Sequence, residues 1–160
     1  MRLYLVRHAE ATVRNGQSDR PLDERGVEDT KRLASFLAPL GLRVQAIWHS
    51  GKARTLQTAE LLASSVCADQ GLVQRDDLNP NDKIRPVIDD VEDMEADLMI
   101  VGHQPFLGKL ASKMVAGSKS ADVLVFPKGA MVCLETTRLG KWQVAWVLAP
   151  DLLVKAPSGV

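Results

Sequence analysis

Leu3-Tyr4-Leu5-Val6-Arg7-His8-Ala9-Glu10 opens the chain with a continuous apolar run. The run is too short for a helix and lacks the alternation of a half-exposed strand, so it reads as a strand buried on both faces. An arginine and a histidine stand side by side at its carboxyl end. A neutral imidazole is a nucleophile near pH 7, and a guanidinium beside it can grip phosphoryl oxygens with its two-pronged fork. One such dipeptide is common, and its meaning rests on what other strand ends supply.

Strand and helix patterns alternate along the rest of the chain. They predict an α/β fold, a three-layer α/β/α sandwich around a mainly parallel central sheet. After the strand over 3–6, residues 11–25 are polar and read as a long loop, a kind of segment that is often functional. Val27, Thr30, Leu33, Ala34 and Leu37 recur at helical spacing over 26–38, and Pro39 with Gly41 ends that helix. A strand over 44–48 leads through His49-Ser50-Gly51 into a helix striped by Ala53, Leu56, Ala59, Leu62 and Val66, with Ser50 as its N-cap and Arg54 off the stripe. A short strand over 71–75, a polar loop over 76–82 and a helix marked by Ile84, Val87, Ile88 and Val91 follow. The strand over 98–101 ends at Gly102-His103-Gln104-Pro105 and gives way to a helix with a broad apolar face from Phe106 to Val115. Residues 123–126, 130–135 and 143–148 read as closing strands, the last two joined as a hairpin through Leu139-Gly140-Lys141. The tail from Pro150 is expected to be mobile. No repeat or linker divides the chain, so residues 1–160 are read as one domain.

Among 160 residues, twenty Lys and Arg balance twenty Asp and Glu, so no overall field draws the chain to nucleic acid or an anionic membrane. Any phosphate recognition must be local. Cys67 and Cys133 lack CxxC spacing and are read as reduced, Cys133 within the core. The amino terminus has no signal-peptide pattern and no stretch reaches membrane-spanning length, so a cytoplasmic protein is expected.

Three strand ends share one pattern, in which a basic or polar group follows the strand at once. The first presents Arg7 and His8, the second leads to Arg54, and the third presents His103. In open α/β sheets the ligand crevice lies beyond the carboxyl ends of the strands, so these groups should meet on one rim. If an imidazole nitrogen attacks phosphorus, charge on the equatorial oxygens must be held by preorganised donors, each contributing about 3 kcal/mol. Arg7, Arg54 and His103 are of the right type.

Leu5-Val6-Arg7-His8-Ala9-Glu10, then Ser50-Gly51-Lys52-Ala53-Arg54-Thr55-Leu56-Gln57-Thr58-Ala59, then Gly102-His103 after a late strand resemble the histidine phosphatase superfamily. The short length, Arg20-Pro21-Leu22 with Gly26 after it, the Asn79-Pro80-Asn81-Asp82 region and Gly102-His103-Gln104-Pro105-Phe106-Leu107 look most like the SixA-type phosphohistidine phosphatases. The resemblance implies a minimal phosphoglycerate-mutase-like fold without a helical lid insertion. It implies His8 as a nucleophile that is transiently phosphorylated, Arg7 and Arg54 as phosphate ligands, His103 as a donor to the transition state, and Arg20 near the phosphate or the substrate's rim. No metal or cofactor is expected.

In two respects the chain departs from the superfamily's commonest pattern. Ala9 stands where Gly usually follows the histidine, and no inserted segment carries a general acid. Asp82, Asp19 and Glu10 are the candidate acids that remain. Breaking a phosphate ester expels an alkoxide, for which a positioned acid is commonly worth about 10² to 10⁴ in rate. A phosphohistidine expels an imidazole, which leaves neutral once its other nitrogen is protonated. The expected substrate is therefore phosphohistidine on a signalling or phosphotransfer protein, the partner being a phosphorylated histidine-containing domain. The rivals are a broad small-molecule phosphomonoesterase and a non-catalytic module that binds phosphorylated partners.

Other residues have plainer readings. His49 precedes the second motif and is read as structural. Trp48, Trp142 and Trp146 lack an interleaved basic stripe and are read as packing residues. Lys52, Lys109 and Lys113 are read as solvated helix positions rather than a flank of the pocket.

Overall fold

The computed structural model describes residues 1–13 and 19–153. Part of the expected 11–25 loop, residues 14–18, and the tail from 154 onward lie outside the described residues. The elements are β1 (Arg2–Arg7), α1 (Glu24–Leu37), β2 (Arg43–Val44), β3 (Ile47–His49), α2 (Ala53–Ala63), β4 (Cys67–Ala68), β5 (Leu72–Gln74), α3 (Arg85–Glu92), β6 (Leu98–Gly102), α4 (Phe106–Ala116), β7 (Met131–Thr136) and β8 (Trp142–Leu148).

Six strands form one sheet in the order β5-β3-β6-β1-β7-β8. The first four run parallel, and β7 and β8 are antiparallel additions. Because successive side chains on a strand point to opposite faces, β1 divides its apolar run between two layers. Leu3 and Leu5 join Val87, Val91, Phe106 and Leu110 of α3 and α4. Tyr4 and Val6 join Leu33, Leu37, Ala59 and Leu62 of α1 and α2. This is the three-layer α/β/α arrangement read from the sequence. Each aliphatic side chain so buried contributes about 1.5–3 kcal/mol from water exclusion.

The layers also fix where a ligand can go. β1 and β6 are parallel neighbours, yet the helix after β1 packs on one face and the helix after β6 on the other. Adjacent strands whose helices diverge in this way leave a crevice beyond their carboxyl ends. Arg7 and His8 end β1, and Gly102 and His103 end β6, so both pairs meet that crevice.

Several sequence expectations are corrected. The strand expected over 44–48 is two short strands, because the Gln45 N–H donates to the Asp97 carbonyl and the chain crosses there between sheets. β2 pairs with β4 in a separate two-stranded parallel sheet that the sequence did not announce. Residues 123–126 are not a strand but a loop, with Val125 in solvent and Phe126 buried. Ser50 does not cap α2. The N-cap position is Lys52, without a side-chain cap, and the Ala53 N–H is met by Asp19 Oδ1 at 2.7 Å. α1 begins earlier than its apolar pattern because Asp23 Oδ1 accepts the Gly26 N–H at 2.7 Å. Gly26 is required for packing, since a Cβ there would collide with the Glu10 carbonyl. Of the tail, residues Pro150–Leu153 form a 3-10 turn, with Leu153 against the α1 and α2 layer.

The plainer readings are placed as follows. Trp48 is buried with the Arg75 guanidinium 4.2 Å over its ring, and Trp146 packs beside Tyr4. Cys133 is buried in β7, where burial pushes its thiol up to about 11, while Cys67 is exposed. Among the described residues no helix is long and apolar enough to cross a membrane.

Candidate active site

Strand alternation sends Arg7 and His8 to opposite sides of the rim. Arg7 shares the face of Leu3 and Leu5, and its Nη1 donates to the Phe126 carbonyl at 2.8 Å. Residues 123–126, expected as a strand, instead form a loop that supplies this carbonyl to Arg7. His8 lies on the α2 side. Its Nδ1 is 2.8 Å from the Ala9 carbonyl oxygen, and a carbonyl only accepts, so Nδ1 carries the proton and Nε2 keeps its lone pair.

The backbone around the pair is held on both sides. The Arg7 N–H donates to Ala130, and the His8 N–H donates to the Gly102 carbonyl at 3.0 Å. The Gly129 N–H reaches the carbonyls of both Arg7 and His8 from a left-handed turn with φ +73°, a conformation that favours glycine. Ala9 is buried, and its N–H donates to Thr58 Oγ1 at 3.3 Å, which docks α2 against the end of β1.

Arg54 stands in the first turn of α2 and is 7% exposed. The sequence placed it off the apolar stripe, but the buried face of α2 is Arg54, Thr55, Thr58, Ala59 and Leu62. The helix is rotated by about one residue relative to the expected stripe, and that rotation turns the guanidinium inward. His103 is 2% exposed, and its ring centroid lies 5.1 Å from that of His8. Arg20 is near enough for its charge to lower the Arg54 pKa, an effect that adds to burial. The structure thus brings Arg7, His8, Arg54 and His103 to one rim and sets Arg20 beside them.

Electrostatics keep both rings neutral in the open pocket. Burial first, then the charges of Arg54 and Arg7, hold His8 down at about 4 despite its bond to the Ala9 carbonyl. Burial, Arg54, His8, Lys52 and Arg7 hold His103 at about 3. Burial also lowers both arginines, though at such high reference values they stay charged. A neutral His8 with a free Nε2 is the protonation state a nucleophile needs.

The buried side-chain atoms without a hydrogen-bond partner among the described residues are Arg7 Nε, Arg54 Nε and Nη1, His103 Nδ1 and Thr12 Oγ1. Unpaired buried polar groups are costly, so native proteins keep few of them. All but one belong to residues near His8: the charges of Arg54 and Arg7 act on it, and the His103 ring centroid is 5.1 Å away. Buried guanidinium N–H groups that lack an acceptor, Nε of Arg7 and Nε and Nη1 of Arg54, are suited to an oxyanion with several oxygens. A cavity of about 550 Å³ lined by Arg7, Gln104, Gly108 and residues 122–126 adjoins this rim.

The three carboxylates weighed as acids each have a partner, and two of them stay near the rim, the charge of Asp19 acting on Arg54 and that of Glu10 on Arg7. Asp19 accepts from the first turn of α2, Glu10 pairs with Lys128, and Asp82 Oδ2 accepts the Asn79 N–H at 2.7 Å. His49 is buried, and its Nδ1 accepts the Gly51 N–H at 3.1 Å, a turn-holding role. Lys52 lies close enough to depress His103, so it flanks the pocket, contrary to its reading as a merely solvated position. Lys109 and Lys113 line a separate cavity between α3 and α4.

Sequence reasoning missed the supports. Ser50 and Thr55 back His103, Thr58 docks Ala9, and Gln57 Oε1 accepts the Leu22 N–H at 2.7 Å. The available signal was two threonines, three residues apart on a helix otherwise rich in apolar residues, which is where hydroxyls facing inward should raise a question.

A family model for the histidine phosphatase superfamily, branch 1, matches residues 3–79. An uncharacterized protein of Picosynechococcus sp. is 36% identical over 144 residues, 81% of this chain and 87% of that one. The structure of the protein histidine phosphatase SixA complexed with tungstate superposes with a TM-score of 0.84 at 20% identity, over 96% of this chain and 99% of that chain. SixA from Agrobacterium tumefaciens gives 0.75 at 25% identity, over 93% and 97%. The likeness in fold extends to phosphatases named for small esters, alpha-ribazole-5'-P and phosphoserine among them. With the family model spanning the strand and helix that carry Arg7, His8 and Arg54, and a relative this similar along most of its length, the chain belongs to the histidine phosphatase superfamily and is SixA-like in structure.

Proposed function

We propose that this phosphatase removes the phosphoryl group from phosphohistidine on a signalling or phosphotransfer protein, with His8 as the nucleophile. The observation that carries the reading is a His8 imidazole whose Nε2 is unprotonated, near Arg7, Arg54 and His103, whose buried nitrogens have no partner among the described residues. In the first step Nε2 attacks phosphorus while Arg7, Arg54 and His103 Nδ1, protonated as the anion enters, hold the equatorial oxygens. The substrate's P–N bond breaks and its electron pair returns to the leaving imidazole, which departs neutral because its other nitrogen bears a proton. Water then attacks the phosphoryl group on His8, the new P–N bond breaks, and phosphate leaves with the proton that water gives up.

Asp19 and Glu10, the two candidate acids near the rim, already accept from the Ala53 N–H and from Lys128, and carboxylates held as acceptors favour a substrate that needs no strong acid. The test is to incubate the protein with a phosphohistidine-bearing transfer domain and with p-nitrophenyl phosphate, trapping acid-labile phosphate on the enzyme. We expect faster turnover of the phosphoprotein, label on His8, and loss of both in His8→Ala. Equal turnover by His8→Ala would remove the nucleophile assignment. Faster hydrolysis of the monoester would keep the mechanism and replace the substrate by a small ester.

A further inference from the structure

The Ser50 hydroxyl, freed from the capping role its position predicts, is 7% exposed and touches the rim from behind. Its Oγ lies 2.7 Å from His103 Nε2 and 2.9 Å from Thr55 Oγ1. Thr55 Oγ1 in turn lies 2.8 Å from the Lys52 carbonyl oxygen.

The directions of these bonds follow by elimination. A carbonyl only accepts, so the one proton of Thr55 is committed to Lys52. Thr55 then accepts from Ser50, which spends its own proton there. Ser50 has only a lone pair left for His103, so His103 Nε2 donates. In the neutral ring Nδ1 is therefore the unprotonated atom, and it is the buried ring atom that has no partner among the described residues.

We propose that Ser50, backed by Thr55, is a positioning residue that fixes His103 as its Nε2–H tautomer and so reserves Nδ1 to take up a proton and meet a phosphoryl oxygen; the assignment rests on the function proposed above. Arg54 from α2, Lys52 from the turn before it, and His8 and Arg7 from β1 all face this ring and favour its neutral form. The incoming phosphoryl dianion opposes them and draws a proton onto Nδ1. An imidazolium needs an acceptor at each N–H, and Ser50 Oγ is the one at Nε2. Without it the neutral ring is free to take either tautomer, and the charged ring buries an unpaired donor.

Two measurements test the assignment, one of which needs no activity. In protein labelled with ¹⁵N-histidine, long-range ¹H–¹⁵N correlation spectra read which nitrogen of His103 carries the proton. We expect Nε2–H in the wild type and a mixture of tautomers in Ser50→Ala. The second measurement is the pH profile of kcat/KM with a phosphohistidine peptide. Losing the acceptor disfavours the charged ring, so in Ser50→Ala the basic limb should move to lower pH and the maximum should fall about tenfold or more. Ser50→Thr should restore both, and Thr55→Val should lie between, since Ser50 is then free to donate to the ring. Thermal melts identify a variant that fails to fold, and the restoring Thr variant keeps the test decisive. An Nδ1–H ring in the wild type, or a Ser50→Ala profile superimposable on wild type, would overturn the proposal. If the wild type ignored the phosphohistidine peptide, the proposed substrate would fall while the spectra still judged the tautomer.

Discussion

Arg7 and Arg54 carry the same charge into the pocket but are held differently. Arg7 already donates through Nη1 to the Phe126 carbonyl, whereas Arg54 Nε and Nη1 have no partner among the described residues. Arg54 therefore has the more complete fork to offer an anion, and geometry should matter there as much as charge. Arg54→Lys keeps the cation and loses the fork. We expect kcat/KM to drop by about 10²-fold and any inhibition by tungstate, used as a tetrahedral oxyanion probe, to weaken in parallel, because a missing oxyanion donor typically costs that much. Steady-state kinetics with and without tungstate checks this, and a variant within threefold of wild type would contradict it. Lys52 should act in the opposite sense. Removing its charge in Lys52→Ala relieves His103 of one repulsion, so the basic limb of the pH profile should shift to higher pH, which a pH series on that variant will show.

At the scale of elements, α2 is the part whose placement was hardest to read. Its existence was legible from spacing, as were α1 and α4, while β1 and β6 were legible as short unbroken apolar runs of buried-strand length. The rim was legible too, since strand ends point to a shared crevice and Arg7, His8, Arg54 and His103 each follow a strand. What was not legible is set by contacts between distant segments. The rotation of α2 follows from Thr55 and Thr58 binding inward, the loop over 123–126 supplies the Phe126 carbonyl to Arg7, and the cap of α2 comes from Asp19, 34 residues before Ala53. That cap gives a clear expectation. Asp19→Ala should lose about 0.5–1 kcal/mol, as removal of a capping acceptor does, and slow phosphohistidine and monoester hydrolysis by the same small factor. Asp19→Asn keeps an acceptor oxygen and should behave like wild type. Were Asp19 instead a general acid, the Asn variant would lose monoester hydrolysis selectively, so thermal melts together with the two rates separate the roles.

For the molecule as a whole, the pocket links stability to pH. His8 and His103 have folded-state pKa values lowered to about 4 and about 3 from the ordinary 6.5, chiefly by burial. The folded chain thus resists protonation that the unfolded chain accepts. Stability is fully present above about pH 6.5 and falls as the pH drops from there toward 4, since the unfolded state then binds more protons. Each ring contributes a slope approaching about 1.4 kcal/mol per pH unit across that window. Urea denaturation at pH 7 and pH 5 should show a loss of a few kcal/mol in the wild type and a markedly shallower loss in a His8→Gln, His103→Gln double variant, with ordinary carboxylate titration common to both. Saturating inorganic phosphate should flatten the wild-type slope, because an anion seated among Arg7, Arg54 and His103 favours the charged rings in the folded state. Identical slopes in wild type and double variant would mean that the acid sensitivity of the fold lies elsewhere. A wild-type slope indifferent to phosphate would mean that the anion does not sit against these rings, and the nitrogens near His8 that lack a partner among the described residues would need another occupant.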